Sequence, residues 1–218
     1  MIWKTETARH TADHLLQIKA IKLSPQEPFT WASGWLAPIY CDNRVTLSHP
    51  ATRTFLRDKL AEALQDHYGK PQVIAGVATG AIAMGALVAE ALDLPFVYVR
   101  PEAKKHGRQN QVEGALAPGS SVVVIEDLIS TGGSSLRAVE ALRKEGAEVL
   151  GMAALFTYAF DVSKTNFTQE HCPLVTLCDY PSLLQRALEN GRIDDATLQT
   201  LAEWRRQPDQ WSPRKGSS

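Results

Sequence analysis

The chain has 218 residues with 24 acidic against 23 basic side chains, a formal charge of −1 that excludes a global attraction to nucleic acid or to an anionic membrane. That length can bury a core without disulfides or a structural metal, and no stretch approaches the ~20 apolar residues of a membrane-spanning helix. Residues 1–10 are too polar for a signal peptide, so the expectation is a soluble, cytoplasmic protein whose anion sites are local.

In chain order, residues 8–21 read as an amphipathic helix. His10 and His14 lie four apart in it with no third ligand nearby, which makes them surface histidines rather than a metal site. Residues 27–44, rich in Pro, Gly and aromatics, read as a hood over a sheet rather than a linker. Pro50 stands just inside the start of a helix over 50–68, where Phe55, Leu56, Lys59, Leu60, Ala63 and Leu64 build one stripe.

From Gln72 onward, short apolar runs alternate with helical stretches, the pattern of parallel βαβ units. The predicted strands are 73–77, 96–100, 121–125, 149–156 and 174–178. Helices are predicted at 81–92, 133–145 and 181–190, each connecting parallel neighbours. The result is one domain over 1–218: helices and hood in 1–68, core in 69–206, frayed tail in 207–218. Cys41, Cys172 and Cys178 are widely spaced with no Cys-x-x-Cys pair, as expected of reduced thiols.

The most informative segment is VVVIEDLISTGGSS, residues 122–135: an apolar strand, two acids, a small-residue loop and a helix start. In an open α/β sheet the ligand crevice lies at the carboxyl ends of the strands, where Glu126 and Asp127 would stand. Adjacent carboxylates can accept hydrogen bonds from vicinal hydroxyls. The glycines and hydroxyls that follow let backbone N–H groups reach an anion at a helix N-terminus. A sugar diol beside a phosphate is the implied ligand. The segment is neither a Walker A loop nor a Gly-x-Gly-x-x-Gly turn.

A second segment, YVRPEAKKHGRQNQVEG at 98–114, concentrates Arg100, Lys104, Lys105, His106 and Arg108 on an otherwise neutral chain. A lysine-rich loop taken alone is most often a solvated surface. This one leaves the same edge of the sheet as the acids, where long loops serve as active-site lids. A third, FTWASGWLAPIYCDNR at 29–44, offers aromatics that could flank a flat ring.

Residues 122–135 closely resemble the signature by which type I phosphoribosyltransferases bind 5-phosphoribosyl 1-pyrophosphate (PRPP). The run Arg-x-x-x-Lys-x-His-Gly followed by Asn-Gln-x-Glu-Gly is similar to the flexible loop of the orotate phosphoribosyltransferases, and residues 29–44 resemble that family's hood. The resemblance implies the type I phosphoribosyltransferase fold, a central, mostly parallel sheet flanked by helices, with a small N-terminal hood and a lid. It also implies transfer of ribose 5-phosphate from PRPP to orotate, giving orotidine 5′-monophosphate and pyrophosphate in de novo pyrimidine synthesis.

Carried over residue by residue, Glu126 and Asp127 would hold the ribose hydroxyls, and Leu128, Ile129, Ser130, Thr131, Gly132, Gly133 and Ser134 would wrap the 5′-phosphate. Ser130 would also reach orotate, together with Ser33 and Gly34 of the hood. Arg100, Lys104 and His106 would meet pyrophosphate. Lys104, His106 and Asp127 are the implied catalytic residues, with His106 a proton donor. Mg²⁺ would bridge the pyrophosphate rather than sit in a protein cage. A homodimer sharing its lids across subunits is also implied.

The chain departs from the family pattern in places. Pro101 stands where some relatives carry a lysine, the turn Ala78-Thr79-Gly80-Ala81 has none, and Phe156-Thr157-Tyr158 lacks an arginine some members aim at the orotate carboxylate. Leu36-Ala37 replaces a polar pair. For the carboxylate, backbone N–H groups of the hood are preferred over Arg44. The rivals are an enzyme for another base and a PRPP-sensing regulator without catalysis. A fused decarboxylase barrel would need ~250 more residues.

Overall fold

The computed structural model describes residues 1–31, 33–102 and 111–212. Helix α1 (Thr5–Gln17) is followed by short hood strands, β1 (Ile21–Leu23), β2 (Phe29–Thr30), β3 (Leu36–Ala37) and β4 (Ile39–Cys41), and by a 3₁₀ turn over Asn43–Ser48. Helix α2 (Pro50–Tyr68) leads into β5 (Val73–Val77), α3 (Ile82–Leu92), β6 (Phe96–Val99) and β7 (Val112–Glu113). Then come β8 (Ser121–Ile129), α4 (Gly133–Lys144), β9 (Glu148–Thr157), α5 (Asp161–Gln169), β10 (Leu174–Asp179), α6 (Tyr180–Glu189) and α7 (Asp195–Arg206).

One sheet has the order β10-β9-β8-β5-β6-β7, parallel throughout except that β7 runs antiparallel to β6. All five residues of β5 are buried, as a central strand covered on both faces requires. On α2 the predicted stripe packs inward through Leu56, Leu60, Ala63 and Leu64. Lys59 does not; it is ion-paired to Glu62 at the surface.

His14 is not a surface residue as expected. Its ring lies 4.6 Å from that of Phe55 and its Nδ1 is 3.0 Å from the Thr52 hydroxyl, so it packs α1 on α2, where burial lowers its pKa. Among the described residues no cluster of three or more His, Cys, Asp or Glu is placed to hold a metal. All three cysteines are free thiols, and no described helix is long and apolar enough to cross a membrane.

Several expectations on the core need correction. Strand β8 continues to Ile129, because its ladder with β9 runs on to Ile129 opposite Thr157, so both acids lie within the strand. Helix α6 does not connect parallel neighbours: it follows the last strand and leads to α7. The first helix ends at Gln17, and Ile21 belongs to β1; its apolar side chain continued the helical pattern because it joins the same cluster as Leu15 and Leu16.

That cluster is centred on Trp204 of α7, which is fully buried and donates through Nε1 to the Leu36 carbonyl at 3.1 Å. The rings of Trp31, Tyr158, Phe160 and Tyr180 surround it at 5.4–5.8 Å. The hood is thus pinned to the C-terminal helix, and Trp211 still packs against the same cluster.

On the opposite face, the Tyr68 hydroxyl at the end of α2 lies 2.7 Å from the Met152 carbonyl and 2.9 Å from that of Pro173, tying α2 to the β9 and β10 edge. A Cβ on Gly151 would collide with the Tyr68 ring, so the glycine makes room for this tie. Tyr68→Phe keeps the ring and removes the donor; it is expected to lower stability by about 1 kcal/mol in urea unfolding, with activity unchanged.

Candidate active site

The chain leaves β5 toward β6 on one side and returns as β8 on the other, so the sheet's switch point lies between β5 and β8. Their carboxyl ends open the crevice where α/β sheets bind ligands. It contains a cavity of about 340 Å³ lined by Thr79, Gly80, Glu126, Asp127, Leu128 and Ser134, with Cys41, Asp42 and Arg44 closing it from the hood side.

The two acids differ in surroundings. Glu126 is 5% exposed; one of its carboxyl oxygens accepts the Asp127 N–H at 2.9 Å and the other the Ser135 hydroxyl at 2.8 Å. Burial, and then the neighbouring Asp127 charge, push its pKa well above the carboxylate range. Both Glu126 oxygens are thus engaged within the protein, while the half-buried Asp127 lines the crevice with its carboxyl group. A Cβ on Gly80 would fall inside that carboxylate, so the β5–α3 turn approaches Asp127 as closely as only a bare Cα allows.

After β8 the loop is set for an anion. Gly132 has φ +85° and rests on the Phe167 ring, where a Cβ would come within 2.7 Å. It is the N-cap of α4, with no side chain closing the first turn, so the N–H groups there stay open to a ligand. Asn166 of α5 donates to the Thr131 carbonyl at 3.0 Å and holds the loop from behind. Ile129 is fully buried and turns into the core, so it can offer a ligand only its backbone.

A second cavity of about 580 Å³ lies under the hood, lined by Trp31, Trp35, Tyr40 and Tyr158 with Ser33, Ser130 and Thr131. Cys41 and Leu128 line both cavities and form the wall between them. Trp31 is held edge-on to Trp204 and bonded through Nε1 to the Ile39 carbonyl at 3.2 Å, so this aromatic wall is preformed. Burial, and then the Asp127 charge, push the Cys41 thiol's pKa well up, which keeps it protonated.

The structure thus brings Ser33, Ser130 and Thr131 to one cavity and Glu126, Asp127 and Ser134 to the other. Gly34 does not line the hood cavity, and its N–H already closes the hood turn onto the Trp31 carbonyl at 2.8 Å. Arg44 faces the acid cavity, its guanidinium bonded to both Asp42 oxygens at 2.7 and 2.9 Å. Among the described residues no lysine or arginine lines the hood cavity. Arg100 directly follows β6, 3.6 Å from Glu113, with its N–H bonded to the Gln111 carbonyl. Lys104 and His106 lie outside the described residues.

Sequence reasoning missed Gly80, Ser135 and Asn43. Asn43 is 2% exposed and donates to the backbone carbonyl of Asp127. No local signal marks it, because the contact spans 84 positions.

A family model described as Phosphoribosyl transferase domain matches residues 47–179. The chain is 55% identical over 204 residues to orotate phosphoribosyltransferase of Bacteroides fragilis, covering 94% of this chain and 96% of that protein. Its fold is similar to that of orotate phosphoribosyltransferase from Aeropyrum pernix, with TM-score 0.73 at 28% identity over 84% of this chain and 99% of the other. It also resembles the Mycobacterium tuberculosis H37Rv orotate phosphoribosyltransferase solved in complex with 5-phospho-alpha-D-ribosyl 1-diphosphate, with TM-score 0.63 at 23% identity, covering 81% and 98% of the two chains.

Proposed function

The chain belongs to the orotate phosphoribosyltransferase family, and we propose that it transfers ribose 5-phosphate from PRPP to orotate, releasing pyrophosphate and orotidine 5′-monophosphate for pyrimidine synthesis. The observation that carries this reading is the shared wall of the two cavities. A sugar held at Asp127 presents its anomeric carbon across Cys41 and Leu128 to a flat ring lying among Trp31, Trp35 and Tyr40.

In this reading the 5′-phosphate sits at the open start of α4, on the backbone of residues 128–134 and the hydroxyls of Ser130, Thr131 and Ser134. The ribose hydroxyls meet Asp127 and Glu126, and the charge left on Asp127 lies near the positive charge that develops on the sugar as pyrophosphate departs. Ser130 and Ser33 hold the orotate ring, and hydroxyls and backbone N–H groups rather than a guanidinium take its carboxylate. Arg100, Lys104 and His106 of the lid meet pyrophosphate, with Lys104 and His106 assisting its departure.

Asp127 and Thr79 line the crevice with hard oxygen donors, a set that would suit Mg²⁺ held together with phosphate oxygens and water. When bound, Mg²⁺ supplies charge neutralisation on the leaving group.

The chain reads as one phosphoribosyltransferase domain over 1–218, its tail at 207–218, a reading supported by the cluster that α1, the hood, α6 and α7 share. The free thiols accord with a cytoplasmic location. The outer face of α3 presents Ala83, Ala86 and Leu87 beside Leu47, flanked by Arg53 and Glu90, a surface that supports a homodimer with lids shared across subunits; light scattering should give twice the monomer mass.

The test is a steady-state assay with PRPP and Mg²⁺, offering orotate, uracil, hypoxanthine and adenine in turn. Turnover on orotate alone is expected, reduced by about 10²-fold or more in Lys104→Ala. PRPP binding without consumption of any base would overturn the reading in favour of a regulator.

A further inference from the structure

We infer that Asn43 is a positioning residue for the transfer reaction, fixing the backbone of Asp127 from the hood side. The inference rests on the reading of Asp127 as the acid that meets the ribosyl group.

Asn43 opens the 3₁₀ turn between hood and core, and its side chain is buried with both ends in use. Nδ2 donates to the Asp127 carbonyl at 2.5 Å, and Oδ1 accepts from the Cys41 thiol at 3.4 Å. A buried amide satisfied by two separate segments rigidifies whatever it joins. Here it joins Cys41, which lines both cavities, to the acid at the end of β8.

The Asp127 carbonyl lies near the end of the β8 ladder. The register with β9 pairs Glu126 with Ala154 and then Leu128 with Phe156, and β5 pairs with β8 only as far as Ile125. Asn43 therefore supplies a restraint on Asp127 from the hood, beyond the point where the β5 ladder stops. Gly80 restrains the carboxylate itself. Backbone and side chain of Asp127 are thus held by different elements, and a small shift of this residue moves a charge relative to the anomeric carbon.

The turn has an anchor that no side-chain substitution at position 43 removes: the Thr46 hydroxyl donates to the Asn43 backbone carbonyl at 2.6 Å. Two variants test the inference. Asn43→Ala removes the donor. Asn43→Leu keeps roughly the size of the side chain and removes the donor, so it separates the lost hydrogen bond from a lost volume.

With folding checked by near-UV circular dichroism, Asn43→Ala is expected to lower kcat about tenfold with the KM for orotate within about twofold of wild type. Its affinity for Mg²⁺-PRPP by calorimetry should weaken by roughly threefold to tenfold. Asn43→Leu is expected to show the same fall in kcat with the same unchanged KM for orotate.

Wild-type kcat and PRPP affinity in a folded Asn43→Ala or Asn43→Leu would overturn the inference. The calorimetric arm needs no acceptor base, so it decides the role of Asn43 even if the wild-type protein fails to consume orotate. That failure would count against the orotate reading alone.

Discussion

Asp127→Asn is expected to lower kcat by about 10²–10³-fold while leaving the fold intact. The substitution keeps the size of the side chain and removes its charge. In the structure Asp127 is the half-buried acid that lines the crevice, whereas Glu126 is buried, its oxygens are engaged by the Asp127 N–H and Ser135, and its pKa is pushed well up. Whatever electrostatic stabilisation a developing sugar cation receives from this pair comes mainly from Asp127. The loss should fall on kcat and kcat/KM together, the signature of an interaction made mostly in the transition state.

The change also alters Glu126. Burial is the largest cause of its raised pKa and the Asp127 charge the next, so Asp127→Asn should bring the Glu126 titration down without returning it to the ordinary range. Carbon-13 NMR of labelled glutamate would read this shift directly. A group with a raised folded pKa stabilises the fold at low pH and loses that contribution as pH rises through the folded value. In both proteins this loss runs from the unfolded to the folded Glu126 value, and it should span a wider pH range in wild type, where Glu126 titrates higher. A kcat within about threefold of wild type would remove Asp127 from the mechanism.

What could be read from the sequence was local and periodic. The Val-rich runs of β5 and β8 are buried on both faces and carry their own pattern, and the acids followed one of them directly. The small-residue loop announced an open helix start because glycine and hydroxyl side chains have few other uses there. The hood gave up its role but not its form: β2 and β3 have two residues each, too short for alternation to appear. Helix α5 buries only Ser163 and Phe167, so its periodic signal is faint, yet Phe167 supports Gly132 and Asn166 holds Thr131. Register was illegible altogether. Pairing of Gly76 with Ile125 is what carries Gly80 and Asp127 to the same point in space, and no window of sequence holds both.

That convergence makes Gly80→Ala the sharper probe of the crevice. The added methyl would overlap the Asp127 carboxylate, so either Asp127 rotates away or the β5–α3 turn retreats, and both movements displace groups that line the sugar cavity. Misplacement by about 1 Å is enough to cost on the order of 10²-fold in rate, and kcat/KM for PRPP should fall by at least that much. The crevice opens to solvent, so the strain can relax outward and the loss of stability should stay near the low end of the ~1–3 kcal/mol typical of overpacking. Combining the two substitutions separates their causes. If the methyl acts by displacing the Asp127 charge, the double variant Gly80→Ala with Asp127→Asn should be little worse than Asp127→Asn alone, since a charge already removed cannot be displaced. If the two losses multiply instead, Gly80 shapes the pyrophosphate side of the cavity independently of Asp127, and the turn Ala78-Thr79-Gly80-Ala81 becomes the element that contacts the leaving group.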